Sequence, residues 1–264
     1  MIGILGIVVT ILMVFGGYLV SGGNLAIVIH ALPHEMIIIG GAAVGAFVLS
    51  NSLADIKLTL RDVGKVFKGP KWRDEDYRDL LCLLFVLIRI SRGNPIDVEA
   101  HIEDPENSAI FQKYPKILKD HAAVEMICDT MRAAAMNYND PHQVEEVLEK
   151  RLEAIQHHAA HPSHALQTMA DGLPALGIVA AVLGVIKTMG AIESPPAVLG
   201  GYIGGALVGT FLGVFIAYGF VGPFAAYMQA VYDEEHSFYK IIQDVLVAHL
   251  HGNAAQISVE IGRG

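Results

Sequence analysis

Groups that can bind or carry an ion are scarce in the apolar stretches of this chain, so each one is informative. Glu35 and Glu193 stand at the ends of long apolar runs, and Lys187 lies close enough to such an end for its amine to snorkel out. The centres of the runs carry hydroxyls instead, above all Thr210 in VGTFLG. A helical threonine either bonds back to the carbonyl four residues earlier, here Ala206, or leaves its oxygen for an ion or another side chain. A self-sufficient proton pump requires a carboxylate or histidine inside the membrane. With none at the run centres, the titrating group for any ion movement would come from a partner.

Around Thr210, the residues Gly201, Gly205, Gly209 and Gly213 recur at every fourth position, with Gly200 and Gly204 as a second pair. Glycines so spaced line one stripe of a helix and let another backbone approach closely. That neighbour is either a helix of the same chain or one supplied by a different chain. Pro174 in DGLPALG and Pro223 in FVGPF bracket the same region. Each marks a span boundary or kink, or else a hinge that lets a helix change its tilt.

Elsewhere the clusters read as surface. His157, His161 and His164 would share a helical face beside His158, but Pro162 is expected to interrupt the helix, and no Asp, Glu or Cys completes a ligand set. Arg89, Arg92, Asp97, Glu99, Glu103, Asp104 and Glu106 surround the turn GNPID as a mixed patch, either solvated or a docking face. There is no Walker loop, H-E-x-x-H or dinucleotide fingerprint, so no enzyme site and no cofactor are expected. Cys82 and Cys128 have no metal or redox spacing, and a net charge of −9 argues against nucleic acid as a partner.

The elements that hold these residues follow from hydropathy. The chain of 264 residues is 53% hydrophobic but only 17% charged, against about a quarter charged in soluble domains. Residues 2–20, 33–52, 173–192 and 198–220 form four apolar runs, each long enough for about 30 Å of hydrocarbon. SGGNLAIVIHAL links the first two and ESPPA the last two, which gives two hairpins. Residues 53–171 hold 15 of the 18 Lys and Arg and the two links hold none, so the large segment and both termini are expected on the cytoplasmic side.

That segment reads as helical. Leu80 to Ile88 is apolar but too short to span, hence a buried helix. Asp140, Pro141 and Gln143 form a helix start, and Val144, Val147, Leu148, Leu152 and Ile155 then fall on one stripe. Residues 224–250 make another amphipathic helix, stopped near Gly252. The expected protein is all-α and polytopic. Its parts are a first transmembrane hairpin at 1–52, a helical cytoplasmic domain at 53–171, a second hairpin lining the ion path at 172–223, and a cytoplasmic C-terminal helix at 224–264.

Several segments carry a specific likeness. GLPALGIVAAVLGVI, LVGTFLGVFIAYGFVGP, GGAAVGAFVLSN, IEDPENSAIFQKYP and ISVEIGRG resemble the MotA family of bacterial flagellar stator subunits, and the resemblance covers essentially the whole chain. It implies a ring of five copies in the bacterial inner membrane. The ring would surround two copies of a single-span, peptidoglycan-anchored MotB-like partner that brings the ion-carrying aspartate. Proton flow would drive torque on the rotor protein FliG, with no cofactor beyond the coupling ion.

By the same likeness Pro174 and Pro223 match the prolines that couple ion passage to movement, and Thr210 matches the hydroxyl facing the partner aspartate. Glu99 matches an acidic rotor-contacting position, whose basic companion best matches Arg92, with Arg89 as the alternative. At a further acidic position of the family this chain has Lys150 and Arg151. Sodium-driven relatives carry a threonine seven residues after the first proline; here that place is Ala181, which offers no oxygen to a hard cation, so protons are expected. The competing readings are an ExbB- or TolQ-like energy-transducing subunit and a self-contained ion channel or transporter.

Overall fold

The computed structural model describes residues 2–135 and 141–263. Asp140, the expected helix cap, lies outside them. Among the described residues the chain is helical throughout, with no strand. It divides into two units, residues 1–69 with 160–231 and residues 70–159 with 232–264.

The first unit is apolar. It contains α1 (Ile2–Val20), α2 (Leu25–Ser50) and α3 (Leu53–Lys68). It also contains the later part of α8 (Pro141–Gly190), then α9 (Pro196–Ile216), a π-helical turn (Ala217–Val221) and the start of α10 (Gly222–Leu250). Four of these helices, α1, α2, α8 and the α9–α10 run, are long and apolar enough to cross a membrane.

Two local expectations are corrected here. The link between the first two spans is residues 21–24 rather than SGGNLAIVIHAL, because Gly22 turns the chain at φ +84° and Asn24 caps α2 by accepting from the Ala26 amide at 2.9 Å. Glu35 and Pro33 therefore lie inside α2, with Glu35 about 15 Å from its start. Pro162 does not interrupt α8, which runs unbroken through both Pro162 and Pro174. An interior proline costs about 3 kcal/mol. That cost is offset by burial along the same helix at Leu152, Ala165, Ala170 and Leu173.

The second unit is packed like a soluble domain. In α4 (Asp74–Gly93), Leu80, Leu83, Leu84, Leu87 and Ile88 are fully buried at helical spacing, as the apolar run predicts. They meet α5 (Pro95–Ile102), α6 (Pro115–Leu118), α7 (His121–Ala135), the first turns of α8 and the second half of α10. Trp72 stacks on Phe238 with ring centroids 3.8 Å apart. Lys71 pairs with Asp120 and Lys116 with Asp76 at the edge of this stack. Gly252, at φ +83°, ends α10 where the sequence places its stop, and α11 (Ala255–Arg263) follows.

Candidate functional site

The site is a seam between α8 and α9 in the apolar unit, closed on one side by α2. Helices without charge approach closely only where side chains are small. A Cβ on Gly213 would meet the Leu173 carbonyl at 2.7 Å and Gly177 Cα at 2.8 Å. One on Gly184 would meet Ala206 Cβ at 2.6 Å. These pairs run in opposite order along the two helices, so α8 and α9 form an antiparallel hairpin in near backbone contact. Of the four glycines in the stripe, Gly209 and Gly213 thus pack against the chain's own α8. Gly205 has Ala31 at ordinary distance, and Gly201 has nothing within 4 Å of an added Cβ.

Gly209 also admits Glu35. A Cβ there would stand 2.5 Å from Glu35 Oε2 and 3.2 Å from Ala180 Cβ. The carboxyl is 7% exposed, and its Oε2 has no hydrogen-bond partner among the described residues. The reading that the spans carry no interior carboxylate is therefore corrected: α2 brings Glu35 against α9, one residue before Thr210. An unpartnered carboxyl oxygen in this setting is costly and persists where function needs it. The signal that could have located it is Asn24, whose capping chemistry moves the start of the helix back by eight residues.

Thr210, the next residue of α9, is half-buried. Thr10, Thr59, Thr130, Thr168 and Thr188 each donate back to the carbonyl four residues earlier, at 2.7–3.0 Å. Thr210 makes no such bond to Ala206 or to any other described residue, so its oxygen keeps its capacity.

A cavity of about 410 Å³ continues from Glu35 past His30, His34, Lys187, Tyr202 and Gly201. Lys187 Nζ sits 4.8 Å from the Tyr202 ring centroid at this end. Ala181 is half-buried on α8, one residue beyond the Ala180 contact.

The two prolines lie toward the other end of the seam. Pro174 removes the donor that Ala170 would receive, and Pro223 removes the one due to Gly219. The π turn before Pro223 absorbs the second loss, bonding the Gly222 amide to the Ala217 carbonyl. A Cβ on Gly222 would come within 4.0 Å of Ala170 Cβ, so the turns that precede the two prolines are neighbours.

The charged patch lies in the second unit. Glu99 is exposed on α5, and Arg89 and Arg92 are exposed on α4. Arg92 donates to the carbonyls of Gly252 at 3.1 Å and Asn253 at 2.5 Å, while Arg89 forms no ion pair among the described residues. Arg151 is held by Glu125 at 2.7 Å and Asp129 at 3.0 Å, and Lys150 by Glu146 at 2.5 Å. His161 lies 3.9 Å from Asp55.

Comparison with known proteins places this arrangement. Residues 4–95 match the model of the Motility protein A N-terminal region, and residues 119–240 match the MotA/TolQ/ExbB proton channel family. The chain is 37% identical to Motility protein A of Escherichia coli strain K12, over 264 residues that cover 100% of this chain and 89% of the relative. The chain belongs to the MotA family. It is also 36% identical to Chemotaxis protein LafT of Vibrio parahaemolyticus, over 98% of this chain and 90% of the relative. Its fold matches the flagellar MotAB stator complex of Bacillus subtilis with a TM-score of 0.76 at 20% identity, over 98% of this chain and 94% of that one. With four spanning helices and this membership, the chain is a membrane protein.

Proposed function

We propose that this chain is a flagellar stator subunit that forms a proton channel with a MotB-like partner and converts proton flow into torque on the rotor protein FliG. The observation that carries the reading is the carboxyl of Glu35, without a hydrogen-bond partner among the described residues, packed on Gly209 of a membrane seam whose next residue, Thr210, does not turn its hydroxyl back. The partner's single helix brings the aspartate that Thr210 faces, and the open flank at Gly201 gives such a helix room. Five copies around the partner, in the inner membrane with both termini cytoplasmic, agree with the placement of Lys and Arg along the chain.

Protons enter by the cavity at His30 and His34, reach Glu35 and pass to the partner aspartate beside Thr210. Ala181 leaves the seam without the extra oxygen that a sodium ion would use. Movement is passed on at Pro174 and Pro223, whose preceding turns are neighbours at Ala170 and Gly222. One charge crossing 100 mV yields about 2.3 kcal/mol, enough to drive such a step. Glu99 and Arg89 form the rotor-facing pair, because Arg92 is engaged by its own turn at Gly252 and Asn253.

The test is a strain lacking the gene. Intact filaments that do not rotate, rescued by the wild-type chain but not by Pro174→Leu, support the reading. Normal swimming, or missing filaments, overturns it. Rotation that stops on removal of sodium would overturn the choice of ion alone.

A further inference from the structure

We propose that His142, Glu145 and His251 form a binding site for a divalent transition-metal ion of the zinc class. His142 and Glu145 stand three residues apart in the first turn of α8 and share a face there. His251 follows the last residue of α10 and precedes the left-handed Gly252. All three belong to the second unit.

The three donor atoms converge as the ligands of an ion do. Glu145 Oε2 lies 3.6 Å from His142 Nδ1 and 3.8 Å from His251 Nε2, and all three donor atoms fall within 4.8 Å of one another. These separations are too long for hydrogen bonds. A tetrahedral ion with bonds of about 2.0–2.1 Å holds its ligand atoms about 3.3–3.4 Å apart, so small rotamer changes close the site. The imidazole centroids are 5.3 Å apart with planes at 66°, a splayed arrangement in which both nitrogens can converge on one point.

Two imidazole nitrogens and one carboxylate oxygen suit Zn²⁺ and its probe Co²⁺, and disfavour Ca²⁺ and Mg²⁺, which take oxygen. Three protein donors leave one position for water, which makes the ion exchangeable. The side chains are reachable from solvent, with relative exposures of 79% for His142, 42% for Glu145 and 38% for His251.

Binding would tie the start of α8 to the α10–α11 turn, the same turn whose Gly252 and Asn253 carbonyls receive Arg92. The metal thus stiffens the seat of Arg92. Binding is measured without any motility readout, so it stands or falls independently of the stator reading.

The experiment uses the full chain, purified without a polyhistidine tag and reconstituted in lipid nanodiscs, titrated with Co²⁺ and followed by visible d–d absorption. The expected result is one equivalent per chain with an intense tetrahedral spectrum, displaced by Zn²⁺. His142→Ala, His251→Ala and Glu145→Gln should each weaken binding by at least about tenfold. A variant with His157, His158, His161 and His164 all changed to Ala should bind as wild type does. Far-UV circular dichroism confirms folding, and Glu145→Gln, which preserves shape, decides the matter if a histidine variant misfolds. Absence of saturable Co²⁺ binding, binding indifferent to Glu145→Gln, or binding lost with the histidine run instead overturns the proposal.

Discussion

The two units of this chain are both helical, yet they are held together by opposite means. In the polar unit large side chains gather in one buried core: Trp72, Leu83, Leu87 and Phe238 are all 1% exposed or less, and lysine–aspartate pairs seal the edge. Ile96 and Val147, the latter on the expected apolar stripe, are among the few large apolar side chains left exposed there. In the apolar unit many large side chains point outward, with Leu49 at 90%, Ile37 at 73% and Ile186 at 61% exposed. Beside a small buried cluster of Ile39, Leu173, Val208 and Leu212, the close helix contact is made from Gly177, Ala180, Gly184, Ala206, Gly209 and Gly213. Water drives large residues together in the first case. Lipid gives no such drive, so close backbone approach and van der Waals packing decide the second. A polar side chain that enters beside these glycines meets backbone at once, as Glu35 does at Gly209.

The sharpest way to break the comparison is to add bulk to the glycine seam. Gly213→Leu puts its Cβ against the Leu173 carbonyl and the Gly177 backbone, neither of which can move aside cheaply. Complete loss of swimming in soft agar is expected at normal membrane levels of the protein or below. Gly201→Ala meets nothing within the chain and should leave swimming nearly intact. If Gly201→Ala also abolishes swimming, that end of the stripe is filled by a foreign helix packed as tightly as α8 packs on Gly213.

The corresponding change in the polar unit removes volume. Leu84 is fully buried among its neighbours on α4. Leu84→Ala should cost about 2–5 kcal/mol, read as a lower thermal midpoint of the purified protein in nanodiscs. The comparison fails if Leu84→Ala is silent, because this core would then be as tolerant as a lipid-facing surface.

What could be read in advance divides along the same line. The α4 core and the end of α10 were legible, since burial from water leaves helical periodicity at Leu80, Leu83, Leu84 and Leu87 and a stop at Gly252. The spanning helices were legible as lengths of apolar chain, but not in their facing, because lipid and interior are equally apolar. The glycine stripe pointed equally to a neighbour in the same chain or in another, and only the coordinates assign Gly209 and Gly213 to α8. Glu35 reads as a span end when the second apolar run is opened at Pro33, whereas Asn24 caps a helix that already includes it. Pro162 misled because its local penalty is visible in the sequence and the compensating burial is not. The meeting of Ala170 with Gly222, and of His142 with His251, joins residues far apart in sequence, which no spacing rule could anticipate.

The smallest expected effect concerns protons in the polar unit. Burial, reinforced by the Arg92 charge, holds the His249 imidazole below its ordinary pKa of 6.5, and its Nδ1 is buried without a partner. His236 is likewise held low, chiefly by burial. A histidine depressed in the folded state is neutral there while its unfolded counterpart takes up a proton, so stability is fully present above about 6.5 and declines as pH falls below it. The thermal midpoint of the polar unit should therefore drop on acidification through that range. His249→Gln, which keeps a polar side chain of similar size without the titration, should flatten part of the slope, with His236 retaining the rest. The apolar unit offers no such dependence from these groups, so an acid-induced loss that is unchanged in His249→Gln would place the sensitive site outside the Arg92 turn.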